Sequence, residues 1–252
     1  MYRLEDKTVF ITGGVSGIGR AMAFAFAQAG ANVVAGDIDQ EKGALLAQEG
    51  KDKGLKIEYL FLDVTDEVSV KKAVEDTRAL FGPANVLVNN AGGSSLNDRS
   101  ITEIDLDDFW KTIKIDLLGT VLCCRHFIPE LMKTGGGSII NMGSIAALRG
   151  LKGRDAYTAA KGGVTALSRA IAVEHAENNI RCNVIAPGAV LTDRMKKFIA
   201  VDPRVTAAVD KHLLGLPEPD EIAHMALYLA SDVSRHVTGS VFQIDSGRGA
   251  AG

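Results

Sequence analysis

The chain has 252 residues, 46% hydrophobic and 23% charged, with a formal net charge of -3. That length suits one large α/β domain with a sizeable core, and the charge leaves no basic footprint for nucleic acid or an anionic membrane. No apolar run approaches the ~18 residues of a membrane span, and the first residues lack the apolar core of a signal peptide. Cys123, Cys124 and Cys182 show neither metal spacing nor a disulfide framework. The expectation is a cytoplasmic protein with buried thiols and no metal.

Short β-branched runs alternate with long Ala-rich helical segments, which predicts a parallel sheet covered on both faces. The first strand spans Thr8 to Thr12, and a helix spans Arg20 to Ala29. Between them lies Gly13-Gly14-Val15-Ser16-Gly17-Ile18-Gly19, spaced Gly-x-x-x-Gly-x-Gly. Such a turn lets the backbone approach a ligand closely, and the following helix N-terminus offers free N–H groups to a pyrophosphate. A second strand, Asn32 to Gly36, runs into Asp37. A carboxylate there can accept from both hydroxyls of an adenosine ribose and repel a 2′-phosphate, which favours NAD over NADP. It can equally cap the helix that starts near Gln40, a task also open to Asp39.

A helix over Glu41 to Lys53 leads to a third strand, Lys56 to Leu62, which ends in Asp63-Val64. Asp63 either accepts from an adenine amino group or caps the helix beginning near Asp66. A helix over Val68 to Phe81 precedes a fourth strand, Ala84 to Val88. It runs into Asn89-Asn90-Ala91-Gly92-Gly93, whose small residues leave room for a ligand. The polar stretch from Ser94 to Thr102 reads as a loop beside a pocket. Apolar residues three or four apart (Phe109, Ile113, Leu117, Val121, Cys124) predict one long helix from Leu106 to Lys133.

A fifth strand, Ser138 to Met142, leads to Ser144, and a polar turn from Arg149 to Asp155 leads to Tyr157-Thr-Ala-Ala-Lys161. A phenol and an ammonium four residues apart share one helix face. The cation favours the phenolate, so the pair can donate and accept a proton near neutral pH. That helix runs to about Asn178, followed by a sixth strand from Ile180 to Ala186. Pro187 to Thr192 follows, then an irregular segment from Asp193 to Gly215, with residues 189–216 read as a lid over a site. A helix over Glu218 to Ala230 and a strand over Gly239 to Ile244 complete a single domain, residues 1–252.

These residues together resemble the short-chain dehydrogenase/reductase family over essentially the whole chain. The resemblance rests on Thr12-Gly-Gly-Val-Ser-Gly-Ile-Gly19, Asp63-Val64, Asn89-Asn-Ala-Gly92, Ser144, Tyr157-x-x-x-Lys161 and Pro187-Gly188, in that order. It implies a Rossmann-type doubly wound parallel sheet of about seven strands and an oxidoreductase. That enzyme would move a hydride between NAD and a secondary alcohol or ketone. By resemblance Tyr157 is the general acid/base, Lys161 lowers its pKa and holds the nicotinamide ribose, and Ser144 orients the substrate oxygen. Gly13, Ser16, Gly17, Ile18 and Gly19 would hold the pyrophosphate, Asp37 the ribose, and Asp63 and Val64 the adenine. Asn90, Ala91 and Gly92 would border the cofactor, and Pro187, Gly188, Val190 and Thr192 would line the nicotinamide. Members of the family are commonly tetrameric.

Two positions depart from the family pattern. Asp116 stands where, by the resemblance, an Asn completes the catalytic group by holding a water relay to the lysine through its main-chain carbonyl. Asp116 either still supplies that carbonyl or, as a buried carboxylate, pairs with Lys161 and raises its pKa. Asp245-Ser246-Gly247 replaces the usual Asp-Gly-Gly. Candidates for the substrate pocket are Ser94, Ser95, Leu96, Ala146, Leu148, Arg154, Val190 and the segment Met195 to Leu214. Arg149 and Arg154 would suit an anionic substrate or simply be solvated. An NADPH-dependent 3-oxoacyl-type ketoreductase and a non-catalytic nucleotide-sensing protein are the alternatives, the first opposed by Asp37 and the second by Ser144, Tyr157 and Lys161.

Overall fold

The computed structural model describes residues 2–251, with all side chains but those of Arg204 and Ala208, which fall in the segment read as a lid. Seven strands form one parallel sheet: β1 (Thr8–Thr12), β2 (Asn32–Asp37), β3 (Ile57–Phe61), β4 (Val86–Asn89), β5 (Gly137–Met142), β6 (Ile180–Pro187) and β7 (Val241–Ile244). Their order is β3-β2-β1-β4-β5-β6-β7, so the direction of winding reverses between β1 and β4. Ligands of open α/β sheets sit at that crevice, outside the carboxyl ends of the strands.

Alternation along each strand divides the core in two. Val9 and Ile11 of β1 and Val33 and Ala35 of β2 face α1 (Gly17–Gln28), α2 (Gln40–Asp52) and α9 (Pro219–Ala230), while Phe10 and Val34 face the other side. There they meet α3 (Glu67–Phe81), α5 (Gly119–Lys133) and α6 (Asp155–Glu174). Phe10 and Phe127 meet in this second layer with ring centroids 4.5 Å apart. Strands buried on both faces read as continuous apolar runs, which is why they were legible. The three cysteines are buried free thiols, and desolvation pushes all of them up, Cys124 to about 12.

Local chemistry sets the helix starts. Asp39 accepts from Lys42 N at 3.0 Å and caps α2, and Asp66 accepts from Val68 N at 2.9 Å and caps α3. Asp37 and Asp63 are therefore not the caps of these helices. Asp63 instead accepts from the backbone N–H and the hydroxyl of Thr65.

Two expectations fail here. The long helix is broken into α4 (Leu106–Ile113) and α5 by a π-helical turn at Lys114–Leu118, which holds Asp116. Such turns insert one extra residue, and hydrophobic spacing over a long window averages it away. The segment read as irregular contains two helices, α7 (Asp193–Val201) and α8 (Pro203–Val209). Thr192 caps α7, its hydroxyl accepting from Met195 N at 3.2 Å.

Candidate active site

At the carboxyl ends of the strands lies a cleft of about 1170 Å³. Its floor is the turn between β1 and α1, and the glycines there are required by space. A Cβ at Gly13 (φ 62°) would fall 2.9 Å from Ala91 Cα, and one at Gly19 would drive into the carbonyl oxygen of Gly13. Gly19 itself does not line the cleft; its role is this close packing. Asn90 secures the floor, its side-chain amide donating to Thr12 O at 3.1 Å and Gly13 O at 2.9 Å. The Thr12 hydroxyl accepts in return from Asn90 N and Ala91 N, each at 2.9 Å. Asn90 therefore works as a tie between strand ends rather than as a free amide.

Whereas α2 and α3 are capped by aspartates, α1 begins at Ser16–Gly17 with no side-chain cap and no acid in its first turn. Its free N–H groups open at Ser16, Gly17 and Ile18 onto the cleft. An uncapped helix N-terminus over a glycine cradle fits a pyrophosphate. Asp37, Asp63 and Val64 line the same cleft. Lys42 also reaches it, but its ammonium is engaged by Asp39 at 2.5 Å.

The cleft also holds Ser144, Tyr157 and Lys161, together with Pro187, Gly188, Val190 and Thr192, the last close to Gly17 of the glycine turn. Ser144 follows β5, its hydroxyl accepting from Ala146 N at 3.1 Å and lying within hydrogen-bonding reach of Tyr157. Lys161 is buried, donating to Met142 O at 2.9 Å and pairing with Asp116 Oδ1 at 3.0 Å. Asp116 Oδ1 also accepts from Gly93 N at 2.8 Å. Asp116 is outside the cleft and lines a second cavity of about 200 Å³ behind Gly92 and Gly93. The ion pair thus separates two cavities.

Burial works to lower the Lys161 value, but the charge of Asp116, then Tyr157 and the bond to Asp116, outweigh it and the ammonium is held above its ordinary range. Tyr157 differs from the expectation. Its ring partly opens on the cleft, yet desolvation is the largest influence and holds the phenol above its ordinary value. Lys161 pulls it down, Asp116 pushes it up, and Ser144 and Arg194 pull down again. A neighbouring cation does not decide the direction when burial outweighs it and a carboxylate stands behind it.

Asp98 was not expected. It is almost wholly buried, and its carboxylate accepts from Ala156 N at 3.2 Å and Tyr157 N at 3.0 Å, capping α6 from the loop after β4. Arg194 was also missed. Its guanidinium donates to Gly92 O at 3.2 Å and to Ser94 O, tying α7 across the cleft, where Met195 and Phe198 also lie. Trp110, Lys111 and Lys114 line the rim. Ser94 is in the cleft and Ser95 in the second cavity, while Leu96, Ala146 and Leu148 line neither. Arg149 and Arg154 are also elsewhere, the first bonded to Arg248 O, the second to Ser95 O and 3.8 Å from Asp202.

A nucleotide-sized cleft that ends on a phenol and an ammonium is suited to moving a hydride and a proton together, the work of a dinucleotide-dependent oxidoreductase. Comparison with known proteins narrows the class. A family model described as enoyl-(acyl carrier protein) reductase matches residues 13–248. The chain is 39% identical to a D-threitol dehydrogenase of Mycolicibacterium smegmatis, over 98% of this chain and 94% of that one. It is 38% identical to the 3-oxoacyl-[acyl-carrier-protein] reductase FabG of Thermotoga maritima, over 97% and 98%. A crystal structure of a putative short-chain dehydrogenase/reductase from Burkholderia xenovorans superposes with a TM-score of 0.93 at 31% identity, covering 100% of both chains. The chain belongs to the short-chain dehydrogenase/reductase family. Its cofactor is of the NAD(P) class.

Proposed function

We propose that the protein is an NAD-preferring dehydrogenase of a secondary alcohol, with Tyr157 as general acid/base. The observation that carries this reading is the meeting of Ser144, Tyr157 and Lys161 in the cleft that also contains the α1 N-terminus and Asp37. The glycine cradle and the N–H groups at Ser16–Ile18 hold the pyrophosphate. Asp37 accepts from the adenosine ribose and repels a 2′-phosphate, while Asp63 and Val64 border the adenine. The nicotinamide, when bound, takes up or gives the hydride. Ser144 donates to the substrate oxygen and fixes it beside Tyr157, whose phenolate form takes the hydroxyl proton during oxidation and whose phenol form returns one during reduction. An ammonium has three donors, and Lys161 spends two on Met142 and Asp116, leaving the third for a ribose hydroxyl in the cleft.

Residues 189–216 serve as the lid, with Arg194, Met195 and Phe198 over the substrate end. A homotetramer and a cytoplasmic setting complete the proposal, and Val121 and Met132 of α5 and Val173 of α6 are exposed apolar side chains open to contact with a second copy. A second reading, an NADPH-linked ketoreductase, has in its favour the likeness to the Thermotoga maritima protein, and Asp37 opposes it.

The deciding experiment mixes purified protein with NAD or NADP and a panel of secondary alcohols, polyols and hydroxy acids, following nicotinamide absorbance. Turnover by wild type with NAD, abolished in Tyr157→Phe, is the expected result. No turnover at all would favour a nucleotide-sensing protein, and full turnover by Tyr157→Phe would remove Tyr157 from the chemistry.

A further inference from the structure

A buried ring ties the far end of the covering segment to the exit of β6. His212 lies buried beneath the exit of β6, just after α8. Its Nδ1 stands 2.9 Å from the carbonyl oxygen of Val209, and its Nε2 stands 3.0 Å from the backbone nitrogen of Ala189. A carbonyl only accepts and a peptide N–H only donates. The ring must therefore carry its proton on Nδ1 and present a bare Nε2, so both bonds together require neutral imidazole. The packing is close. A Cβ at Gly188 would fall 2.5 Å from His212 Nε2 and 3.1 Å from Asp245 Cα. The adjoining chain is stitched to the same place, Leu213 N donating to Ser246 O at 2.9 Å.

We propose that His212 is the positioning residue for the loop Pro187–Val190, and that this loop loosens when the His212 ring takes up a second proton. The proposal rests on the reading of that loop as the nicotinamide wall. A proton on Nε2 sets N–H against the N–H of Ala189, turning an attraction into a repulsion inside the fold. The charged groups around the ring offer it little. Asp210 and Lys211 of its own segment are exposed, and the exit of β6 from Pro187 to Val190 contributes no charge. From the turn after β7 come Arg248 and Asp245, whose two oxygens are engaged by Gly247 N at 3.1 Å and Gly249 N at 2.6 Å. Protonation thus frees the backbone at Ala189 and Val190 and loosens the wall that a bound dinucleotide meets.

The test is a fluorescence titration of NADH or NADPH, whichever binds more tightly, across the interval of roughly pH 5 to 8 in which imidazoles change charge. Wild type, His212→Gln and His212→Leu are compared. Glutamine supplies an acceptor oxygen for Ala189 N–H and takes up no proton; leucine supplies neither. Wild-type affinity is expected to fall about fivefold or more toward acid, the loss of one net hydrogen bond. His212→Gln should stay flat and His212→Leu should be weak at both ends. Hydrogen exchange of the Ala189 amide in wild type, corrected for intrinsic rate, gives a readout independent of any variant's folding. Protection should be lost in acid. Equal acid losses in wild type and His212→Gln, or unchanged protection of Ala189, overturn the latch. Absence of dinucleotide binding at every pH overturns the reading of the cleft and the positioning role with it.

Discussion

Asp116 Oδ1 lies 3.0 Å from Lys161 Nζ, with both side chains almost wholly removed from solvent. The ammonium beside the Tyr157 phenol is thus itself held by a carboxylate, and that carboxylate pushes the phenol's pKa upward. Asp116→Asn keeps an acceptor for Gly93 N–H and for Lys161 but removes the charge. The acidic limb of kcat/KM for alcohol oxidation is therefore expected to move to lower pH. Superimposable rate–pH curves for the two proteins would contradict this.

The same pair has a signature in alkaline stability. Lys161 is held above its ordinary value of 10.5. A raised folded-state pKa contributes stability that is full below the unfolded value and is lost as pH rises through the folded one. Wild type should therefore lose stability upward from 10.5, and Asp116→Asn, with less to lose, should show a shallower decline in urea midpoint. Lys161→Met leaves Asp116 buried without its cation and should cost about 3–5 kcal/mol near neutral pH.

Asp98 reaches α6 across the fold, its carboxylate on the N–H groups of Ala156 and Tyr157. Removing a helix cap costs about 1–2 kcal/mol, and here it also frees the first turn that carries the phenol. Asp98→Ala should lower both melting temperature and kcat, with Asp98→Asn between it and wild type. Unchanged kcat in Asp98→Ala would show that the first turn of α6 holds without the cap.

The cradle tolerates no side chain at Gly19, whose Cβ would meet the carbonyl of Gly13. Gly19→Ala should abolish dinucleotide binding measured by calorimetry, because the floor must shift to admit the methyl group.

With Asp37 as the proposed ribose partner, Asp37→Ser combined with Ile38→Arg should shift use from NAD toward NADP. Loss of a charge-assisted bond to the ribose is worth about tenfold in kcat/KM with NAD, and a guanidinium at the edge of the cleft should raise NADP use by a similar factor.

Much of this was legible from the chain because it is written locally. The β1 run and the glycine turn after it are contiguous, and Tyr157 and Lys161 are one helical turn apart. What escaped depends on distance or on small irregularities. The carboxylate of Asp98 meets Tyr157 N 59 positions along the chain, and the ring of His212 meets Ala189 N 23 positions away. Neither pairing has a local pattern. The segments α7 and α8 are too short for hydrophobic spacing to declare them. Arg149 and Arg154 sit near Tyr157 in sequence but bond to the carbonyls of Arg248 and Ser95 and line neither cavity, so nearness along the chain does not place them in the site.

The π turn at Lys114–Leu118 has a mechanical consequence. Deleting one residue there would let a straight α-helix run from Leu106 to Lys133, but with its first half rotated about 100° against the second. The inward stripe of α5 (Cys123, Cys124, Phe127) is fixed by the core, so the rotation would fall on Trp110, Lys111 and Lys114, and swing them from the rim. One surplus residue acts as a gearing, allowing a single rod to aim one face at the core and another at the ligand.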